Sequence, residues 1–568
     1  MEERRFNLID EPWIPVVEQG MQPTRVSLRE GLLRAEDFLA IDGETPLQSV
    51  ALLRLLIALV ITILSRYDQN GEEAELEDPV EAKDRWLAVF KRGQLPAAAV
   101  EAYFKKWHDC FYLLGGEHPF LQIRPGEVRF TAKEGYGPDG RIMVLRRAYD
   151  APADLPDYDD VCSCTWNTAA QLNGAILESN NKASAVAERQ GYWKNHLTDA
   201  EAAAWLVYFL DFANCGSCGK GNDRDKNKKA PDGSSLRSAE MTAASRGCLV
   251  SAEGGTLFDT LMLNSPLAKY VPGGWEMYGA PCPAWEDQRE YLMKDRRPVP
   301  DDLPAVLTQL SRRILLHEEK PGVVDGFHVG MGDVWTDRGM EPMFMWQSVR
   351  DKESGKDELR PVHYKADTLE WQNCEYLFGG ASGMRPAAAE WTSLRMEDLG
   401  ITEPIRFRMT DIAYGTMNSM VDYTVSGFLH VAPGFFDADG ILAEQAGEEM
   451  EHIEAYAKIM YNLGRNLGVA EGMDEKGAAA ANAKRVKSVY YDRIGRWFLR
   501  FLTQDGLTAE GLLEEEFSVA AAICEEETAK APPEAISGHG GEDTMTMGRA
   551  YGICRGELIK LRKKLKGD

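Results

Sequence analysis

Four stretches near the C-terminus carry apolar residues three or four positions apart, and that spacing restricts this part of the chain to packed helices. Ile453, Tyr456, Met460, Leu463 and Leu467 form the first stripe, and Val486, Tyr490, Ile494, Trp497 and Phe501 the second. Leu513, Phe517, Ala520 and Cys524 form the third, and Met547, Tyr551, Cys554, Leu558, Leu561 and Leu565 the fourth. Each stripe needs a partner to cover it, and the connections are short and polar. The expectation is a four-helix bundle over residues 437–568. Pro532-Pro533 through Gly541 breaks the third helix from the fourth. The fourth ends in Arg555, Lys560, Arg562, Lys563, Lys564 and Lys566. These cations either stabilise the helix C-terminus through its dipole or present a basic patch to nucleic acid or an acidic partner.

Residues 1–436 read differently. Helical stretches at Leu47 to Leu64, Pro79 to Phe90 and Asp199 to Phe212 are interspersed with strand-like runs at Gly326 to Gly330, Pro342 to Trp346 and Ile405 to Met409. No regular strand–helix repeat appears, which argues against a doubly wound parallel sheet. The expected fold class is α+β: a large irregular mixed domain over 1–436, then the bundle. At the start, Asn7 to Val16 places two prolines around Trp13 and Ile14. Fixed φ on both sides predicts an extended edge segment pinned by Trp13. The most apolar stretch, Val50 to Leu64, contains Arg54 and is shorter than the roughly 20 residues that span a bilayer. It reads as a buried helix. His317-Glu318-Glu319 follows an apolar run and reads as a solvated helix end. Asn214 to Ser238 is rich in Gly, Lys, Asp, Asn and Ser and reads as a loop.

A length of 568 residues suggests more than one domain, and 44% hydrophobic residues suffice for a large core. The net charge of −26 argues against autonomous, strong binding to nucleic acid. A local basic surface is compatible with it, because screening limits repulsion to about 8 Å in physiological salt. Any DNA contact is then expected within an assembly that supplies most of the positive charge. Met-Glu-Glu-Arg-Arg is not followed by an apolar run of signal-peptide type. The expected location is the cytoplasm, with no membrane contact. Ten cysteines in a chain of this length do not form a disulfide scaffold.

Catalytic patterns are missing. Gly330-Met331-Gly332 lacks the Lys-Ser/Thr ending of a phosphate loop, and no His-Glu-x-x-His pair or nucleophile elbow occurs. The chain is expected not to be an enzyme and to need no cofactor. Cys162-x-Cys164 and Cys215-x-x-Cys218 would each supply two thiolates to a structural zinc if the pairs meet.

The run Asn7 to Val16 resembles the start of the CasA family, the large subunit of the type I-E CRISPR surveillance complex Cascade. Further segments resemble the same family in order and spacing. They are Leu172 to Lys182, Ala200 to Phe212, Gly247 to Asn264 (with Glu253-Gly254 and Leu257-Phe258), Leu307 to Leu316 (with Ser311-Arg312-Arg313), and Tyr414 to Ser419. The resemblance implies a subunit that reads the protospacer-adjacent motif in duplex DNA, largely from the minor groove, and wedges the strands apart so that guide RNA can pair. Gly415, Thr416, Met417, Asn418 and Ser419 would form the wedge hairpin, with Asn418 where the family often has Gln. Gly216, Gly219, Lys220 and Gly221 would form a glycine loop near DNA, with Lys226, Lys228 and Lys229 free to meet phosphates. Asn180, Asn181 and Lys182 would sense the motif near the guide's 5′ end. The family's motif-reading lysine has no match on the strand around His328 to Gly332, which offers Met331. Implied partners are the other Cascade subunits, guide RNA, target duplex DNA and the type I helicase–nuclease. The competing expectation is a protein-interaction scaffold that uses the bundle without reading DNA.

Overall fold

The computed structural model describes residues 5–116, 118–122, 128–130, 134–136, 142–144, 162–173, 189–213, 242–271, 274–287, 296–297, 299–332, 334–335, 341–351, 355–415, 421–437, 440–539 and 544–567. It divides into two units. The first takes Met1–Thr368, Met384–Gly400 and Phe407–Phe428, and the second Leu369–Gly383, Ile401–Arg406 and Leu429–Asp568.

Near its start the first unit holds a three-stranded antiparallel sheet of β1 (Ile14–Glu18), β2 (Pro23–Val26) and β3 (Phe38–Ile41). The expected edge segment is in fact the central strand, with β2 and β3 on either side. Proline fits there because its missing donor faces the end of a ladder. The Pro15 carbonyl accepts from Asp42, one residue beyond β3, so the side that lacks an N–H looks past the partner strand. Trp13 is fully buried, and its Nε1 donates to the Leu8 carbonyl at 3.0 Å.

Helix α1 (Pro46–Arg66) starts at the cap Thr45, whose hydroxyl accepts from the Gln48 amide, with Pro46 in the first turn. At 21 residues it is longer than the apolar run that marks it, and long and apolar enough to cross a membrane. Here it is core: 94% of its most apolar window is buried. Helix α2 (Pro79–Arg92) is capped by Asp78 and stopped by Gly93 at φ 77°.

Strand β4 (Cys162–Thr168) precedes α3 (Asp199–Phe212) and β5 (Leu249–Glu253). Strands β6 (Arg312–Lys320) and β7 (Val323–Met331) then form an antiparallel pair, and β7 also pairs with β4. This corrects the reading of His317-Glu318-Glu319 as a helix end. Arg312 to Leu316 are all buried, so the run has no exposed face to betray its period. His317 lies on the strand with Nδ1 2.7 Å from Asp325 Oδ1. The strand expected at Pro342 to Trp346 begins only at Trp346, and Phe344 makes an isolated bridge with Leu249. Strands β8 (Ile405–Tyr414) and β9 (Val421–Val431) extend β5 into a sheet of order β5-β8-β9.

After β5 the chain turns sharply into a short helix, Leu257–Leu263. Thr256 and Asp259 form a capping box, and the Gly254 amide donates to the Thr260 hydroxyl at 3.0 Å. A methyl group on Gly254 would overlap Asp259 Cβ, whereas one on Gly255 meets only an ordinary contact at 3.5 Å. Gly254→Ala should therefore cost about 1–3 kcal/mol through overpacking. Gly255→Ala should stay close to wild type. Urea unfolding of the two variants checks the difference.

In the second unit, four helices pack as a bundle: α4 (Ile441–Ala470), α5 (Ala478–Leu502), α6 (Ala509–Lys530) and α7 (Met547–Lys566). Helix α4 touches the other three. The break before α7 contains one short helical turn, Glu534–Ser537. In the third stripe Ala520 and Cys524 are buried as expected, but its first half is displaced by one residue. Leu513 and Phe517 are half-buried, and the core side of α6 carries Leu512, Glu516, Ala520 and Ile523. An apolar-only reading cannot see a glutamate placed in the core. In α5, likewise, Phe498 is buried and Trp497 half-buried. Residues 369–383 join this unit because Trp371 packs on Phe498 (centroids 5.2 Å apart) and Phe378 stacks on Phe435 (5.5 Å).

Candidate nucleic-acid interface

Helix α3 organizes the loops that the sequence singles out. Its N-terminus is closed by a capping box of Thr198 and Glu201, and every residue from Ala202 to Phe212 is buried. Its last turn is fixed from below by a charge. Arg54 on α1 is 1% exposed; its Nε donates to Asp211 Oδ2 at 3.1 Å, and its Nη1 and Nη2 to the two Glu341 oxygens at 2.6 and 3.1 Å. Burial opposes the guanidinium charge, but Asp211 and Glu341 together raise its pKa further. One cation faces two carboxylates, so the cluster is short of positive charge. Burial, against the pull of Arg54, pushes the Asp211 carboxyl up to about 7.

Two loop bases meet on this turn. Ala213 ends α3, and the chain returns at Thr242, whose hydroxyl donates to the Asp211 carbonyl. The residues that flank 214–241 are thus joined by a hydrogen bond from Thr242 to the last turn of α3. The Tyr414 hydroxyl, at the end of β8, donates to the next carbonyl, Phe212, at 2.5 Å. Strands β8 and β9 are neighbours joined by residues 415–420. A parallel crossover needs a dozen residues or more, so this connection makes them a hairpin. Arg408 braces the sheet: it pairs with Glu253 of β5 and lies 4.3 Å over the Phe428 ring of β9. Ser311 and Arg312 run along the same turn, with the Ser311 hydroxyl donating to the Leu210 carbonyl and Arg312 Nη2 3.5 Å from the Ala213 carbonyl.

The base of the third loop sits elsewhere. The buried Asn173 donates to the Lys194 carbonyl at 3.3 Å, and Arg189 donates to Glu44 (3.2 Å) and to Glu201 (3.1 Å) at the start of α3. Fourteen residues of helix put that end about 21 Å from the other two bases. Next to it lies a feature the sequence reading missed. Tyr192 and Trp193 are 47% and 53% exposed; Tyr192 stacks on His196 at 3.7 Å, and Lys320 Nζ lies 6.0 Å from its ring. Two adjacent aromatics inside a Gly- and Lys-bounded turn were the available signal.

Of the expected wedge, Gly415 is described and half-buried, while Thr416, Met417, Asn418 and Ser419 lie outside the described residues. So do Gly216, Gly219, Lys220, Gly221, Lys226, Lys228 and Lys229, and Asn180, Asn181 and Lys182. Cys162 and Cys164 lie on β4, and Cys215 and Cys218 lie outside the described residues. His328 on β7 is buried, and that burial, with His317 nearby, pushes its imidazole down to about 4. At the end of α7, Arg562 and Lys566 pair with Glu514, while Lys560, Lys563 and Lys564 are exposed.

Comparison with known proteins places this architecture among CRISPR-associated proteins. Residues 7–521 match the family described as CRISPR-associated protein Cse1. The chain belongs to the Cse1 family. A curated relative, CRISPR-associated protein CasA/Cse1 of Thermus thermophilus, is 37% identical over 119 residues, a match that spans 21% of this chain and 21% of that relative's length. The crystal structure of Cse1 from Acidimicrobium ferrooxidans shares the fold with a TM-score of 0.73, at 20% identity and with 99% of both chains covered. A chain of a structure described as a CRISPR RNA-guided surveillance complex matches with a TM-score of 0.61, at 18% identity, covering 98% of this chain and all of that one.

Proposed function

We propose that this chain is the large, non-catalytic subunit of a type I-E RNA-guided surveillance complex, and that it reads the motif flanking a DNA target and opens the duplex beside it. The observation that carries this reading is the meeting of two loop bases on one fixed helix turn. The Tyr414 hydroxyl and the Thr242 hydroxyl bond to adjacent carbonyls, Phe212 and Asp211. The described ends of these two segments, at Thr242 and Tyr414, therefore lie side by side on one helix turn. That is the arrangement needed to grip a groove and insert a wedge in the same place. Membership of the Cse1 family and the fold shared with a chain of a surveillance complex support the assembly. The net charge of −26 fits a part that docks on a basic ribonucleoprotein in the cytoplasm. Asn180, Asn181 and Lys182 are assigned to the guide's 5′ end, and the exposed rings of Tyr192 and Trp193 offer stacking surfaces. The helicase–nuclease then joins the opened target.

Gel-shift binding of the guide-loaded complex to matched duplexes tests the reading. Targets carry randomised flanking trinucleotides at fixed salt, with this chain present or omitted. The chain is expected to add affinity that depends on the flank. Equal binding with and without it would discard motif reading and favour the scaffold role.

A further inference from the structure

The interior of the bundle holds polar groups that DNA reading does not use. Glu449 and His452 lie one turn apart on α4, and Glu516 faces them from α6. One ligand atom from each, two carboxylate oxygens and an imidazole nitrogen, lie within 4.8 Å of one another. His452 Nδ1 is 3.4 Å from Glu449 Oε2. Glu516 is 0% exposed and Glu449 5%. Among the described residues, neither Glu516 oxygen has a hydrogen-bond partner of sound geometry. The same holds for the hydroxyls of Tyr456 and Tyr490, both fully buried. The two rings, one on α4 and one on α5, have centroids 6.4 Å apart.

Burying two carboxylates against each other is unfavourable unless a cation or a proton joins them. The donor set argues for a cation. Glu-x-x-His on one helix with a Glu from a facing helix is how bundles build carboxylate metal sites. The imidazole favours a first-row transition ion over magnesium or calcium. Three protein ligands also leave a coordination position for water, a natural partner for two buried hydroxyls.

We propose that Glu449, His452 and Glu516 bind one divalent first-row transition-metal ion, which ties α4 to α6 inside the bundle. The proposal is independent of DNA reading. The test uses the full-length chain, stripped with chelator and titrated with Zn²⁺ by calorimetry, with thermal melts in parallel. One equivalent should bind that Glu516→Gln and His452→Ala each weaken at least tenfold, and Zn²⁺ should raise the wild-type Tm. Glu451→Gln, at an exposed position on the same helix, should leave that equivalent intact. Circular dichroism checks that the variants fold, and metal analysis of the chain as purified gives a reading without any variant. If Glu516→Gln binds Zn²⁺ as wild type does, or if it raises the Tm while Zn²⁺ shifts nothing, the pair merely shares a proton and the metal site is rejected.

Discussion

Arg54→Met should destabilise the first unit by about 3–5 kcal/mol, the cost of breaking a buried ion pair from one side. The methionine fills most of the space, so the loss is electrostatic rather than a cavity effect. It strands Asp211 and Glu341, both buried, with no cation between them. Arg54→Lys should lose less, because a point charge survives while the fork that reaches both carboxylates does not. Urea unfolding of the three proteins gives the ordering. An Arg54→Met protein within about 1 kcal/mol of wild type would mean that the cluster is neutralised by protons rather than by the guanidinium. The same change should loosen the loop bases, since Asp211 supplies the carbonyl that closes residues 214–241.

The second large effect concerns the proposed wedge, Met417 and Asn418. Met417→Ala with Asn418→Ala should weaken binding of the assembled complex to a matched duplex by about tenfold or more. Unstacking a base step costs a few kcal/mol, and 1.4 kcal/mol is already a factor of ten. On a target whose strands are mismatched next to the flanking motif, the same variant should bind almost as well as wild type, because no opening is left to do. That contrast separates a wedge from an ordinary contact. Equal loss on both targets would make the tip a docking surface. No loss on either would remove it from the mechanism.

How far the sequence could be read depended on whether burial left a pattern. Helix α3 was read to the residue, because an apolar run from Ala202 to Leu210 fills most of it. Helix α1 was found but read short, since Pro46 and Arg66 bound it with residues that carry no hydropathy signal. The strand at Arg312–Lys320 was misread because a segment buried on both faces shows no period. Pro15 suggested an edge, and only the ladder shows that its missing donor falls beyond the end of β3. For the proposed interface, resemblance pointed to the segments, but no local signal revealed what fixes the residues that flank them. Arg54, Asp211 and Glu341 are far apart in the chain, and nothing in the neighbourhood of any one of them announces the other two. Glu516 was hidden for a related reason: a glutamate in a helical pattern is read as solvent-facing.

The closed base of residues 214–241 also bears on how such a protein can change over generations. Both ends are tied to one turn of α3, so the framework is indifferent to how much chain lies between them. Loop closure grows only slowly with length, about 0.6 kcal/mol for each doubling. Insertions, deletions and wholesale replacement between Ala213 and Thr242 are therefore nearly free of folding consequences. The sequence of this segment can therefore change from relative to relative while its mount is inherited unaltered.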